Sequence, residues 1–177
     1  MNHDRKYRQI ILLVMLCCLG AGCGGLQEYR VQNLPNMAWD KKFPGDVSLT
    51  VATEAVYNHS WGFYDYKLYV KDGVQKGYEH FLKQCFEGGY KPENGSIQLV
   101  VTALDISTFP IGGLLIDIRL FFRVEVFYQQ SNQQKRKQKT VMVYGFGSDS
   151  DGNKALEKAI ANSFYQLLPY LEEMFSY

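Results

Sequence analysis

"GLLIDIRLFFRVEVFYQ", residues 113–129, decides the architecture of this 177-residue chain. Its even positions, from Leu114 and Ile116 through Leu120, Phe122 and Val126 to Tyr128, are all apolar. Its odd positions include Asp117, Arg119, Arg123 and Glu125. Side chains alternate across a strand, so this period predicts a long strand with one buried and one solvated face. A sheet that needs covering on one face only is mostly antiparallel and carries its helices in a single layer. The polar run "QSNQQKRKQK", 130–139, then leads into "TVMVYGFG", 140–147. That segment reads as the return strand, with Met142, Tyr144 and Phe146 matched to the apolar side. The two strands make a hairpin with a long basic tip that holds Lys135, Arg136, Lys137 and Lys139.

Working outward, "SIQLVVTALDI", 96–106, is apolar enough for a central strand, and "DVSLTVA", 46–52, alternates as a half-buried one. "VYNHSWGFYDYKLYV", 56–70, is dense in rings. It reads either as the turn and return strand of a hairpin about "NHSWG" or as an aromatic loop. The period then changes. Val74, Tyr78, Phe81, Leu82 and Cys85 fall on one helical face, with Asp72 as the expected N-cap and Gly88-Gly89 as the stop. A second helix carries Leu156, Ile160, Phe164, Leu167 and Leu171 on one face. Asp149, Ser150, Asp151 or Asn153 can cap its start, and Pro169 predicts a kink or an end near Leu168. The predicted class is α+β, a mostly antiparallel sheet of about four to five strands with two amphipathic helices packed on one face.

The N-terminus has a different character. "MNHDRKYRQ" is basic, "IILLVMLCCL", 10–19, is wholly apolar, and Gly20-Ala21-Gly22 precede Cys23. Basic start, short apolar core and small-residue exit form the layout of a secretory signal. The apolar run is about half the length a bilayer-spanning helix needs. The expected organisation is a signal peptide over 1–22, a tether over 23–45 and a single domain over 46–177. A flexible tether of that length reaches roughly 25 Å. Leu34, Met37, Trp39 and Phe43 are the residues able to dock it. Removing residues 1–22 takes away three basic side chains and one acidic one, which leaves a formal net charge of −1. A near-neutral domain carries no electrostatic footprint for nucleic acid.

Catalytic patterns are not visible in the sequence. His59 and His80 have no partner at metal-ligand spacing. Ser60 follows His59, but adjacency does not make a triad. Cys85 lies on an apolar helix face, as a structural thiol would. Asp105 and Asp117 belong to different strands. "GFGSDSDGN" lacks the terminal Glu of a calcium loop. No cofactor, no metal and no enzymatic activity are expected. Two features could bind a partner. Trp61, Phe63, Tyr64 and Tyr66, with Tyr57 and Tyr69, can stack on a glycan or lipid or anchor a protein interface, or they are strand residues facing the core. Lys135, Arg136 and Lys137 can meet anionic head groups, lipopolysaccharide phosphates or an acidic partner, or they form a solvated tip.

"LGAGC", 19–23, resembles the signal of bacterial lipoproteins, with Gly20 where that family usually has Leu. The resemblance implies that Cys23 is lipidated and begins the mature chain, while Cys17 and Cys18 leave with the signal. Gly24 lacks the Asp that retains such proteins at the inner membrane of enteric bacteria, so the outer membrane, periplasmic side, is the implied location. "FLKQCFEGGY", "SIQLVVTALDI", the 114–147 hairpin and "ALEKAIANSFYQLLPYLEEMF" together resemble small Gram-negative envelope lipoproteins. YajG-type, LptE-type and ABC-transport auxiliary lipoproteins share that plan. The resemblance implies a lipid-anchored, non-catalytic accessory with an envelope protein partner; the alternative is a periplasmic glycan- or lipid-binding module that uses the aromatic segment.

Overall fold

The computed structural model describes residues 25–62, 64–112, 114–129 and 136–175. Among the described residues seven strands and two helices follow in the order β1 (Leu26–Tyr29), β2 (Val47–Ala52), β3 (Tyr57–Trp61), β4 (Tyr64–Leu68), α1 (Val70–Cys85), β5 (Ile97–Ile111), β6 (Leu115–Gln129), β7 (Arg136–Asp149) and α2 (Gly152–Phe175). The class is α+β, as the period analysis predicts. The single sheet expected from sequence is in fact two mixed ones. The larger has the order β2-β5-β6-β7, and the smaller has the order β1-β4-β3. In the larger sheet β5, β6 and β7 are antiparallel, while β2 runs parallel to β5. The connection from β2 to β5 contains a hairpin and a helix, long enough for the crossover that a parallel pair requires.

From Ile118 to Val126 β6 keeps the predicted alternation, with Ile118, Leu120, Phe122, Val124 and Val126 buried, whereas Asp117, expected on the solvated face, is buried and Leu114, expected on the buried face, is exposed in the turn. Helix α2 packs on β6 and β7, and α1 packs on α2 and β2. The predicted apolar faces of both helices are buried: Val74, Tyr78, Phe81, Leu82 and Cys85 on α1, and Leu156, Ile160, Phe164, Leu167 and Leu171 on α2. At the centre, Tyr78 meets Phe164 edge-on at 5.1 Å and its hydroxyl lies 3.1 Å from Ser163 Oγ.

β7 turns the opposite way from the sequence reading. Val141 and Val143 face the helix, while Met142, Tyr144 and Phe146 are exposed on the open face. The helix-side positions that follow are Gly145 and Gly147. A Cβ at either would collide with the backbone of α2, at Ala159 and Ala155 respectively. The helix thus lies directly on the strand backbone, and only glycine leaves room for it. Side chains four residues apart on α2 then serve the outer edge of β7. Lys158 Nζ donates to the Ser148 carbonyl at 3.2 Å, Asn162 Nδ2 donates to the Phe146 carbonyl at 2.6 Å, and the Tyr144 N–H donates to Gln166 Oε1 at 2.9 Å. This edge is closed against further strand pairing.

Three local expectations shift as well. Helix α1 begins at Val70 after Tyr69, which makes no side-chain cap, and Asp72 sits in the first turn, where its charge suits the helix dipole. The helix ends at Cys85, before the glycine pair, because Phe43 reaches in: its N–H donates to the Cys85 carbonyl at 2.7 Å. Helix α2 starts on Asp151, whose Oδ1 accepts the Asn153 N–H at 2.9 Å, and it continues through Pro169 to Phe175. Pro169 is on the solvent face, where water can serve the Tyr165 carbonyl that loses its partner.

Residues 26–43 are laid along the domain. β1 pairs with β4, and the Gln32 and Asn33 N–H groups both donate to Glu157 Oε1, at 2.7 and 2.6 Å. Met37 and Phe43 are buried, with Leu34 and Trp39 packed against the same core. These are the four residues from which docking was expected.

Gly147→Val should destabilise the protein by about 2 kcal/mol or more, read as a lowered urea midpoint, because the intruding methyls meet helix backbone that cannot yield. Glu157→Ala should cost about 2 kcal/mol by leaving two strap N–H groups without an acceptor, and hydrogen exchange should accelerate selectively at Gln32 and Asn33. Lys158 and the Asp151 N–H hold the Asp149 carboxyl down at about 2. A lowered carboxyl stabilises above its ordinary value near 4 and loses that contribution as pH falls towards about 2. Asp149→Asn should therefore flatten the acid limb of the stability profile over that window.

Candidate functional site

The aromatic segment forms the β3–β4 hairpin, with Trp61 opposite Tyr64 across its turn. Its rings are not gathered into one surface. Trp61 is 48% exposed and Tyr64 40%, whereas Tyr66 is 3% exposed and belongs to the core beside Tyr29. Tyr69 lies under the Arg30 guanidinium at 3.3 Å. Phe63 lies outside the described residues. Trp61 packs edge-on against Phe109 of β5, with ring centroids 5.9 Å apart, and the Arg119 guanidinium lies over the same Phe109 ring, 5.0 Å from its centroid. This contact brings the β3–β4 turn to the same end of the molecule as the β5–β6 turn. There Ile111, Leu114 and Leu115 are exposed, Leu114 by 79%.

The basic segment lies at the opposite end. β6 has fifteen residues, and at about 3.3 Å per residue its two ends are roughly 45 Å apart. Lys137 is exposed on β7 opposite Tyr128, and Arg136 opens that strand opposite Gln129. Lys139 pairs with Glu173 and sits over the Tyr170 ring at 5.3 Å, so it fastens the end of α2. Lys135 and Cys23 lie outside the described residues. The two sequence candidates are therefore separate surfaces, one at each end of the long hairpin.

A third surface was hidden by the reversed reading of β7. On the open face of the larger sheet Phe121 stands opposite Tyr144, with Met142 and Phe146 two residues to either side of the latter. All four are more than a third exposed. The missed signal was glycine at alternate positions, which marks close backbone approach on one face and so sends the large residues to the other.

A groove of about 380 Å³ opens where β2 stops at Ala52 and β5 bulges at Leu104. Glu54 and Asp105 line it, with Tyr57 as its one contribution from the aromatic segment. Ser60 Oγ donates to Asp65 Oδ1 at 2.6 Å, and His59 stacks beside Tyr57 with its Nε2 buried and without a hydrogen-bond partner. His80 bonds Gln84 at 2.8 Å. Asp105 and Asp117 stand opposite Phe121 and Phe109 respectively, and do not meet. Among the described residues no group of three or more His, Cys, Asp or Glu could hold a metal ion, and no helix is long and apolar enough to cross a membrane. Burial pushes the Cys85 thiol up to about 12 against the opposing charge of Lys42. Cys85 should resist aromatic disulfide reagents in the native protein and react fully only in denaturant; rapid native labelling would contradict its placement in the core.

No family model matches the chain, and no curated protein matches it. Among solved structures it is similar to a protein from Xanthomonas campestris described by the family model DUF330, with a TM-score of 0.53 at 12% identity over 86% of this chain and 99% of that one. A second solved structure, of an uncharacterized protein, has a TM-score of 0.40 at 13% identity, over 85% of this chain and 99% of its own. At this identity the Xanthomonas likeness extends to the fold alone. The chain shares the α+β architecture of a small Gram-negative bacterial domain; YajG-type and LptE-type are finer assignments than that likeness carries.

Proposed function

We propose that the chain is a lipid-anchored, non-catalytic accessory subunit of a bacterial cell-envelope assembly or transport complex. In this reading Cys23 is acylated and the domain works on the periplasmic side of the outer membrane through contact with another envelope protein. YajG-type, LptE-type and lipid-transport auxiliary lipoproteins are the finer classes this reading includes. The observation that carries the reading is the open sheet face of Phe121, Met142, Tyr144 and Phe146. A contiguous group of large apolar side chains left in water is a mark of a protein-binding surface. The lipoprotein-type "LGAGC" supports an envelope location for that surface.

Cys23→Ala should move the protein from the membrane fraction to the soluble fraction, while the wild-type N-terminus should show the mass of an acylated cysteine. A photo-crosslinking residue at Met142 should capture one discrete envelope protein in cells. The same residue at Lys158, on the far side of the β7 edge, should capture none. Equal crosslinking from both positions, or none from Met142, would count against the open face as the interface.

A further inference from the structure

Two turns distant in sequence share one end of the molecule, and both are apolar. The β5–β6 turn lies within Ile106–Ile116, a run without a single charged residue. Its exposed side chains are Ile111, Leu114 and Leu115, at 48%, 79% and 41%. Trp61 stands beside them through its contact with Phe109. An aliphatic tip with an indole at its side, backed by the Arg119 guanidinium, has the composition of a bilayer interface contact: aliphatic groups enter the acyl region, tryptophan sits at its boundary and arginine meets head-group phosphate.

The course of the chain identifies the occupant. Leu26 pairs with Asp65, next to Tyr64 in the β3–β4 turn, so the N-terminus leaves the domain at this same end. Cys23 is two residues from Gly25, where the described chain begins. Two residues span at most about 7 Å. The strap over 26–43 is packed down, so the 25 Å reach read from sequence is not available to the domain. An acyl group on Cys23 would therefore enter the bilayer almost beside Trp61 and Leu114. From this placement we infer that the Trp61 and Leu114 turns form a membrane-docking tip that seats the domain directly on the phospholipid bilayer holding its anchor. The inference rests on the acylated reading of Cys23. It also fixes orientation: β6 runs away from the bilayer, and the basic end around Lys137 stands roughly 45 Å from that surface, facing whatever lies across from it.

The test uses the two tryptophans of the chain. Mature acylated protein carrying Trp39→Phe keeps Trp61 as its single reporter and is reconstituted into phosphatidylethanolamine–phosphatidylglycerol vesicles with or without brominated acyl chains. Brominated lipid should quench at least half of the Trp61 emission. Leu114→Asp with Leu115→Asp should reduce quenching below a tenth while the protein stays vesicle-bound through its acyl chains. Should Trp39→Phe fail to fold, wild type and Trp61→Phe are compared instead, and the quenched fraction should disappear with Trp61. Acylated, vesicle-bound protein whose Trp61 is unquenched and open to acrylamide would overturn the docking tip and leave the anchor intact. A mature N-terminus without acyl groups would overturn the anchor itself, and the mass spectrum of the same preparation reports this separately.

Discussion

The approach of α2 to the bare backbone of β7 is the constraint on which the other contacts depend. Gly145 and Gly147 remove two side chains from the interface, and the helix settles against the strand itself. From that position one row of α2 side chains, Lys158, Asn162 and Gln166, reaches the unpaired edge of β7. Another part of the helix, Asn153 and Glu157, faces the N-terminal strap and accepts N–H groups from Arg30, Gln32 and Asn33. A third face meets α1, where Gly77 lies against Ile160. A helix standing one side chain further out would reach none of these backbone groups, and each would be left to water or buried unpaired.

The strap links this core to the proposed function. Phe43 serves the last carbonyl of α1, Met37 binds Gln84, and β1 adds a strand to the smaller sheet. A segment of tether-like composition is therefore part of the fold. Its docking places Gly25, the first described residue, at the same end as the Trp61 turn. A lipoprotein held in this way would present one end to its membrane, the open Phe121–Tyr144 face sideways, and the basic hairpin end outwards. Those three surfaces do not overlap, so anchoring and partner binding would not compete.

Much of the fold was legible because its strongest signals are local. Period 2 through Leu120, Phe122 and Val124 could only be a half-buried strand, and the faces of both helices follow from spacing alone. The return strand was misread because Val141 and Val143 are apolar on one side while Met142, Tyr144 and Phe146 are apolar on the other. Alternation cannot choose between two apolar faces; the depth of the helix–strand gap chooses, and the glycines are its only trace in the sequence. Pro169 misled for a related reason, since its cost depends on whether the freed carbonyl of Tyr165 faces water. The candidate rings were legible as rings, but burial of Tyr66 and exposure of Trp61 depend on which face of β4 meets the core.

By itself the sequence determined the α+β class, the long hairpin and the two helix faces, because these are written in short-range period, charge and residue size. The tertiary structure alone decided that two sheets form, that residues 26–43 are bound to the domain, that Met142, Tyr144 and Phe146 face solvent, and that the Trp61 and Leu114 turns share one end of the molecule with Leu26. Most of these join residues far apart in sequence, and the facing of β7 depends on how α2 packs back onto it, as at Gly147 against Ala155. Such pairings are set by how closely backbones can approach and which polar groups must be satisfied when they do, and apart from the alternate glycines of β7 no local pattern encodes that.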